Sequence, residues 1–436
     1  DGKTHQSALN IVNEEGNWGA WRKAISSQML SKQSTSLAKK QLGLAYDLEK
    51  DKFRDIMELT NPTIRRALLE KFADGCDSAA VHLHAAALPR QASKVILPFP
   101  KMKDTEAYLP TLKNGERVAL IRYPHGGVFE IPELTVNNTN KEAKKILGNA
   151  GDAIGISPRV AERLSGADFD GDTVLAIPLK SVKIKTAKPL AGLKDFDPKT
   201  AYPAYPGMKE VKTDKRFDKQ KQMGKVSNLI TDMTLKGASM SEIARAVRHS
   251  MVVIDAEKHN LNWEQSYKDN DIAGLKIKYQ GGANRGASTL ISKASSDARP
   301  GMRKEITAVS KMTEDEKKRY FQGEKVYRET PETYINKDGK TVTRTIRSTK
   351  MAETDDARTL SSGTAMENIY ADHANKLKAL ANQARKEARM TKDIPYSLEA
   401  KKIYQEQVNA LNSRLNTAQK NKPLERRAWL LANQKI

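Results

Sequence analysis

Between residues 93 and 180 the chain abandons helical spacing for short apolar runs cut by Gly and Pro. The runs are Val95–Leu97, Val118–Ile121, Val128–Ile131, Ala153–Ile156 and Val174–Ile177. Pro98, Pro100, Pro110, Gly115, Pro124, Gly126, Gly127, Pro132 and Pro158 punctuate them. Runs of that length are too short for buried helices, and strands in such number at close spacing predict a small closed barrel.

Helical patterns flank this region. Residues 1–92 read as mostly helical, with Phe53, Ile56, Met57 and Leu59 on one face and Asn61-Pro62 opening a second helix through Leu68 and Leu69. Residues 93–190 hold the barrel. Residues 191–310 return to helix, where Ser239 and Glu242 form a capping box before Ile243, Ala246, Val247 and Met251, and 280–302 read as loop. Residues 311–436 begin with a Thr313–Glu316 cap and a hairpin over Val326–Ile346 turning at Asp338-Gly339. Thr364 with Glu367 then caps the first of two or three long basic helices, separated by Pro395 and Pro423. The expected fold is α+β, a barrel wrapped by helices with a long-helix C-terminal region.

Charge narrows the partners. Lys and Arg number 75 against 53 Asp and Glu, a formal net charge of +22. Such an excess points to nucleic acid and argues against an enzyme of small neutral metabolites. No run of about 18 apolar residues is present, so no membrane partner is expected. The first residues, Asp1-Gly2-Lys3-Thr4-His5, include neither Met nor an apolar leader, and the chain reads as a piece of something longer. A single cysteine, Cys76, allows no internal disulfide and fits the reducing cytoplasm. His82 and His84 alternate, but a pair alone makes a poor metal site.

The chemistry concentrates in Ser165–Leu179, where Asp168, Asp170 and Asp172 alternate and Gly171 separates the last two. Alternate positions on extended backbone share a side, and glycine lets a tight loop bring carboxylates together. Three carboxylates that close repel one another unless a cation sits among them, and oxygen-only ligands favour a hard ion such as Mg²⁺. A solvated acidic turn explains one or two aspartates but not three. A calcium EF-hand would need Gly at position six and Glu at position twelve, where this chain has Thr173 and Leu179. A sugar-nucleotide transferase remains open from Asp168-Phe169-Asp170 alone, although the +22 charge argues against it.

Asp168-Phe169-Asp170-Gly171-Asp172 resembles the signature of the catalytic double-psi β-barrel in two-barrel RNA polymerases. These include the multisubunit enzymes, the silencing-type RNA-dependent polymerases and single-chain phage polymerases. Three further stretches carry the resemblance over roughly residues 93–260. Val118–Gly127 resembles the strand ending in Arg-x-Pro, and Gly151–Ser157 the strand before the signature. Met223–Asn228 with Asp255–Lys258 resembles the post-barrel segments of the silencing-type enzymes. Where the multisubunit enzymes have Asn before the signature, this chain has Gly166.

The resemblance implies a template-directed RNA polymerase. Asp168, Asp170 and Asp172 would be catalytic and hold one Mg²⁺, with a second ion arriving with the nucleoside triphosphate, roughly 3.5–4 Å away. Arg122, and Lys39 as the tail of an upstream first barrel, would bind the nucleotide. Expected partners are a DNA or RNA template, the RNA product and the missing upstream part of the polypeptide. A DNA template is favoured on the strict Asp-Phe-Asp-Gly-Asp form, with an RNA template or a non-catalytic nucleic-acid-binding relict as alternatives, and a phage origin is expected. Ser361-Ser362-Gly363 has the make-up of the family's mobile substrate-closing loop, yet holds no residue that requires that role.

Overall fold

The computed structural model describes residues 24–123, 126–164, 167, 169, 171–193, 196–392 and 394–435, the side chains of 422, 423 and 426–435 excepted. Its helices are α1 (Thr35–Met57) and α2 (Pro62–His82) before the barrel. After it come α3 (Lys219–Leu235), α4 (Met240–His259), α5 (Ile272–Gln280), α6 (Leu290–Ala294), α7 (Ala365–Met390) and α8 (Leu398–Lys435). The barrel strands are β1 (Ala92–Pro98), β2 (Glu106–Tyr108), β3 (Arg117–Ile121), β4 (Glu133–Val136), β5 (Ala153–Ile156) and β6 (Thr173–Pro178). Among the described residues no helix is long and apolar enough to cross a membrane.

The helices begin where their caps dictate. Ser34 Oγ accepts from Leu37 N, and Asn61 Oδ1 accepts from Thr63 N and Ile64 N with Pro62 in the first turn. Each cap satisfies backbone donors that the first turn leaves open. Capping boxes at Ser239, Thr313 and Thr364 start α4, the helix Glu314–Phe321 and α7. α2 lies along α7, with Leu69, Phe72, Ala73 and Cys76 against Leu380, Ala381, Ala384 and Ala388. The alanines let the two backbones approach closely. Burial there pushes the Cys76 thiol up to about 12, so it is no nucleophile near neutral pH.

The six strands close in the order β1-β5-β2-β4-β3-β6, with β6 returning to β1. β1 runs parallel to β5 and β2 to β4, and the other four pairings are antiparallel. Exchanging β1, β2, β3 for β4, β5, β6 maps every pairing and every direction onto itself. The barrel is therefore two interleaved three-strand halves related by a topological two-fold.

Period-two alternation decides what fills it. Ile96, Val118, Leu120, Leu134, Val136, Ile154, Ile156, Val174 and Ala176 form one inner cluster. On the opposite face of β3 and β6, Ala119, Ile121, Leu175 and Ile177 join Met29, Leu30 and Leu42 from the N-terminal helices and Tyr370 and Leu377 from α7. Those two strands are apolar on both faces because helices cover their outside, which is why they read as unbroken apolar runs.

The structure departs from the sequence expectation at several places. Val128–Glu130 is a 3₁₀ turn, and the strand lies at Glu133–Val136 instead. Glu130 turns back so that its Oε2 accepts from Gly126 N at 2.5 Å, and this closes the segment before it can extend. β2 shows no apolar run because its three residues are Glu, Ala and Tyr. The 280–302 stretch contains α6 and a strand at Asp297–Ala298. Within 326–346 the hairpin is Thr333–Ile335 with Thr341–Thr343, while Tyr327–Glu329 pairs with Arg303–Glu305. Pro423 does not end a helix, since α8 runs through it. The carbonyl left without its donor belongs to the exposed Gln419, which is open to solvent.

One buried histidine makes stability pH-dependent. His249 on α4 lies 3.0 Å from Ser266 Oγ, and burial lowers its pKa from 6.5 to about 4. It stays neutral in the fold while the unfolded chain takes up a proton below 6.5, so stability is full above 6.5 and falls as pH drops toward 4. At 1.36 kcal/mol per pKa unit the loss reaches about 3 kcal/mol. Urea titrations of wild type and His249→Gln between pH 4 and 7.5 should converge as the pH falls; parallel curves would refute the assignment.

Candidate active site at the barrel rim

β3 and β6 lie side by side with Ile121 opposite Leu175, so the chain leaves β3 at the rim where it enters β6. That register brings Arg122 to Asp172 across 50 residues of sequence. Arg122 Nη2 and Nε both donate to Asp172 Oδ1, at 2.6 and 3.1 Å. Both side chains are largely covered, at 20% and 12% exposure, so the pair is little screened by solvent. On the other side of β6, Ile96 N donates to the carbonyl of Asp172 at 3.0 Å. Asp172 is thus held by its backbone to β1 and by its side chain to the turn after β3.

Asp168 and Asp170 lie outside the described residues, as do Ser165, Gly166, Pro124 and His125. The residues between them are described. Phe169 packs against the barrel's inner cluster with φ +63°, and Gly171 has φ +114°. A positive φ at a phenylalanine is costly and persists only where packing fixes it. Phe169 therefore anchors the signature loop to the barrel, and Gly171 gives the turn that a side chain would oppose.

The segment that follows Arg122 is pinned at Gly126, Val128 and Phe129. Lys32 Nζ donates to Gly126 O at 2.9 Å, Ala187 N donates to Val128 O at 3.0 Å, and Arg163 Nη2 donates to Phe129 O at 3.5 Å and to Ala187 O at 3.0 Å. Lys32 is buried, and burial brings its pKa down to about 8 against the opposing pull of Glu130. Its neighbour Gln33 clasps the backbone of Lys185, donating to its carbonyl and accepting from its N–H. The turn is thereby fixed to the segment before α1 and to the segment after β6.

Of the residues named from sequence, the structure joins Arg122 to Asp172. Lys39 sits elsewhere, exposed on α1. His82 and His84 stack with ring centroids 5.7 Å apart, and among the described residues no third His, Cys, Asp or Glu joins them in a group that could hold a metal ion. Ser361–Gly363 is tied down, since Ser362 N and Oγ donate to the buried Glu367 at 2.9 and 2.6 Å. Sequence reasoning missed Glu130 and Arg163 as supports of the Arg122 turn. The signal for Glu130 was a lone acid inside the apolar run Val128–Ile131.

The donor chemistry fits a hard divalent cation. Asp172 offers a carboxylate at the rim, the loop supplies two further carboxylates in sequence, and no sulfur or imidazole ligand intervenes among the described residues of 164–176. Arg122 occupies Oδ1 of Asp172 and fixes its orientation, as partners of metal-ligating carboxylates commonly do. No protein-family model matches the chain, and no curated protein matches it either.

Proposed function

We propose that this chain is the catalytic part of a template-directed RNA polymerase built on a double-psi β-barrel, with DNA as the favoured template. The observation that carries the reading is the Arg122–Asp172 pair at the rim of a closed six-stranded barrel, directly flanking an Asp-Phe-Asp-Gly-Asp loop. The topological two-fold and the two parallel pairs, β1 with β5 and β2 with β4, support the double-psi identity, in which two crossed halves interlock. The net charge of +22 supports a polyanionic substrate.

In this reading Asp168, Asp170 and Asp172 hold Mg²⁺, which when bound lowers the cost of ionising the 3′-hydroxyl and of building charge on the departing pyrophosphate. Arg122 holds the Asp172 carboxylate in place. Lys32, Glu130 and Arg163 keep the Arg122 turn from moving. Phe169 keeps its part of the loop seated on the barrel.

The test is incorporation of labelled ribonucleotides in Mg²⁺ on single-stranded DNA and on single-stranded RNA, with and without chelator. Template-dependent product that the chelator removes is expected, chiefly on DNA. Product on RNA alone would assign an RNA-directed enzyme of the same fold. Absence of product on both templates would overturn the polymerase reading in favour of a binding module.

A further inference from the structure

We propose that the surface formed by α3, the 281–287 loop, α6 and Lys350 is a docking face for the phosphate backbone of single-stranded nucleic acid leading to the barrel rim. The proposal deepens the polymerase reading by naming the surface the strand follows, but its evidence is separate from the aspartate site.

The loop is built to hold a fixed shape. Asp232 on α3 is fully buried and accepts hydrogen bonds from both ends of it. Gln280 Nε2 donates at 2.8 Å, Ser288 N at 2.9 Å, Thr289 N at 3.1 Å and Thr289 Oγ1 at 2.6 Å, with Ser292 Oγ as a fifth donor. A buried carboxylate is tolerated only with such full satisfaction. Between the clamped ends run Gly281-Gly282-Ala283-Asn284-Arg285-Gly286-Ala287, without an acid and with Asn284, Arg285 and Gly286 exposed. Three glycines leave the backbone open to close approach.

Cations surround this loop without carboxylate partners. Lys236 donates to Tyr279 O at 2.5 Å and to Ser288 Oγ at 2.7 Å, and Lys293 donates to Leu360 O at 3.1 Å. Carbonyls and hydroxyls fix an ammonium without neutralising it. Among the described residues no ion pair involves Lys225, Lys236, Lys276, Arg285, Lys293 or Lys350. Lys225 lies on α3 and Lys236 caps its C-terminus. Lys293 is pushed down by burial first, with Glu367 opposing and with Lys350 and Lys236 among the charges that add to it. Lys276 is pushed down by burial and then by Lys225. These cations therefore feel one another. The two acids among them, Glu367 and Asp232, oppose this in part at Lys293, but neither is exposed to pair with the surface cations. Asp232 is enclosed, and the buried Glu367 accepts from Leu290 N at 2.7 Å, Ser362 N, Ser362 Oγ and Thr364 Oγ1. The neighbouring cations are different, since Lys278 pairs with Glu242 and Arg245 with Asp271.

Position supplies the direction. Leu290, Ile291 and Ala294 of α6 belong to the same core cluster as Ile121, with Tyr123 packed against it, and these two residues flank Arg122. The helix beneath the cationic face and the strand that leads to Arg122 thus share one core. Clustered ammonium groups beside an open glycine loop match a run of phosphates, which bind such groups with release of counterions.

The experiment is fluorescence anisotropy of the full chain with labelled 20-nucleotide DNA and RNA single strands across a salt series. The triple variant Lys225→Ala, Arg285→Ala, Lys350→Ala is compared with Lys141→Ala, Lys144→Ala, Lys145→Ala on the helix Lys141–Leu147, which loses the same charge over a different core cluster. At about 0.7 per neutralised phosphate, the first variant should flatten the log Kd against log salt slope by about 2 and weaken binding of both strands about tenfold or more. The control variant should change both far less. Equal losses in the two variants, or wild-type binding by the first, would overturn the docking face, as would displacement of the oligonucleotide by polyglutamate as readily as by unlabelled strand. Asp172→Ala should bind as wild type, so a failed incorporation assay with intact, patch-dependent binding rejects the polymerase and leaves the face standing.

Discussion

Asp172→Ala is expected to eliminate ribonucleotide incorporation while the far-ultraviolet circular dichroism and single-strand binding stay at wild-type levels. The residue's part in the fold is its backbone, through Ile96 N on its carbonyl, and alanine keeps that bond. What disappears is one of three carboxylates proposed to hold the cation, and the counter-charge of Arg122 with it. Loss of a group that acts only on the reacting charges typically costs two to three orders of magnitude in rate, about 2.7–4 kcal/mol, and loss of a ligand costs more. Arg122→Ala gives the contrast. It leaves the carboxylates in place and removes their fixed neighbour, so incorporation should fall by roughly 10²-fold, a range seen for supporting partners of metal ligands. Arg122→Lys should recover only part of this, because a lysine replaces the two-nitrogen grip on Oδ1 with a single ammonium. Residual activity of Asp172→Ala equal to that of Arg122→Ala would show that the aspartate is only a structural partner of the arginine.

The largest effect on stability should come from Asp232→Ala. The substitution removes the shared acceptor of five donors at a site with no solvent exposure. Breaking a buried charged network by deleting one member costs about 3–5 kcal/mol, because the remaining groups are left desolvated. Asp232→Asn keeps one carbonyl oxygen but turns a donor toward donors, so it should recover little of the loss. Urea unfolding should show the reduced midpoint, and hydrogen exchange should show the 280–292 amides losing protection first. A change below about 1 kcal/mol would mean that water or relaxation replaces the carboxylate, contrary to the full enclosure seen here.

What could be read in the sequence follows from how local each cause is. β3 and β6 were legible because two apolar faces leave an unbroken run, and β5 because Ala153–Ile156 is buried throughout. β2 was hidden because its burial comes from partners distant in the chain, β4 and β5. Val128–Glu130 was mistaken for a strand because composition does not reveal that Glu130 reaches back to Gly126. The same holds for the candidate site. Alternating aspartates advertise their chemistry by repulsion alone, and Arg122 stood in a recognisable strand ending. The buried acceptors Asp232 and Glu367 gave no such sign. Glu367 showed only its capping role, and the donors that make both residues important arrive from other helices and loops.

Closure of the barrel by its first and last strands has a kinetic consequence. β1 is bonded to β5 and β6, so its edges stay unsatisfied until the chain has been made and folded through Pro178. Contacts of such sequence separation carry a loop-closure cost before they return any stabilisation, which slows folding relative to local helix formation. The Arg122–Asp172 bridge lies beyond the end of one of the pairings that join the two topological halves, β3 with β6. No half-assembled barrel can contain it. Completion of the barrel and formation of the Arg122–Asp172 bridge are therefore one event, which a nascent or partly unfolded chain cannot reach.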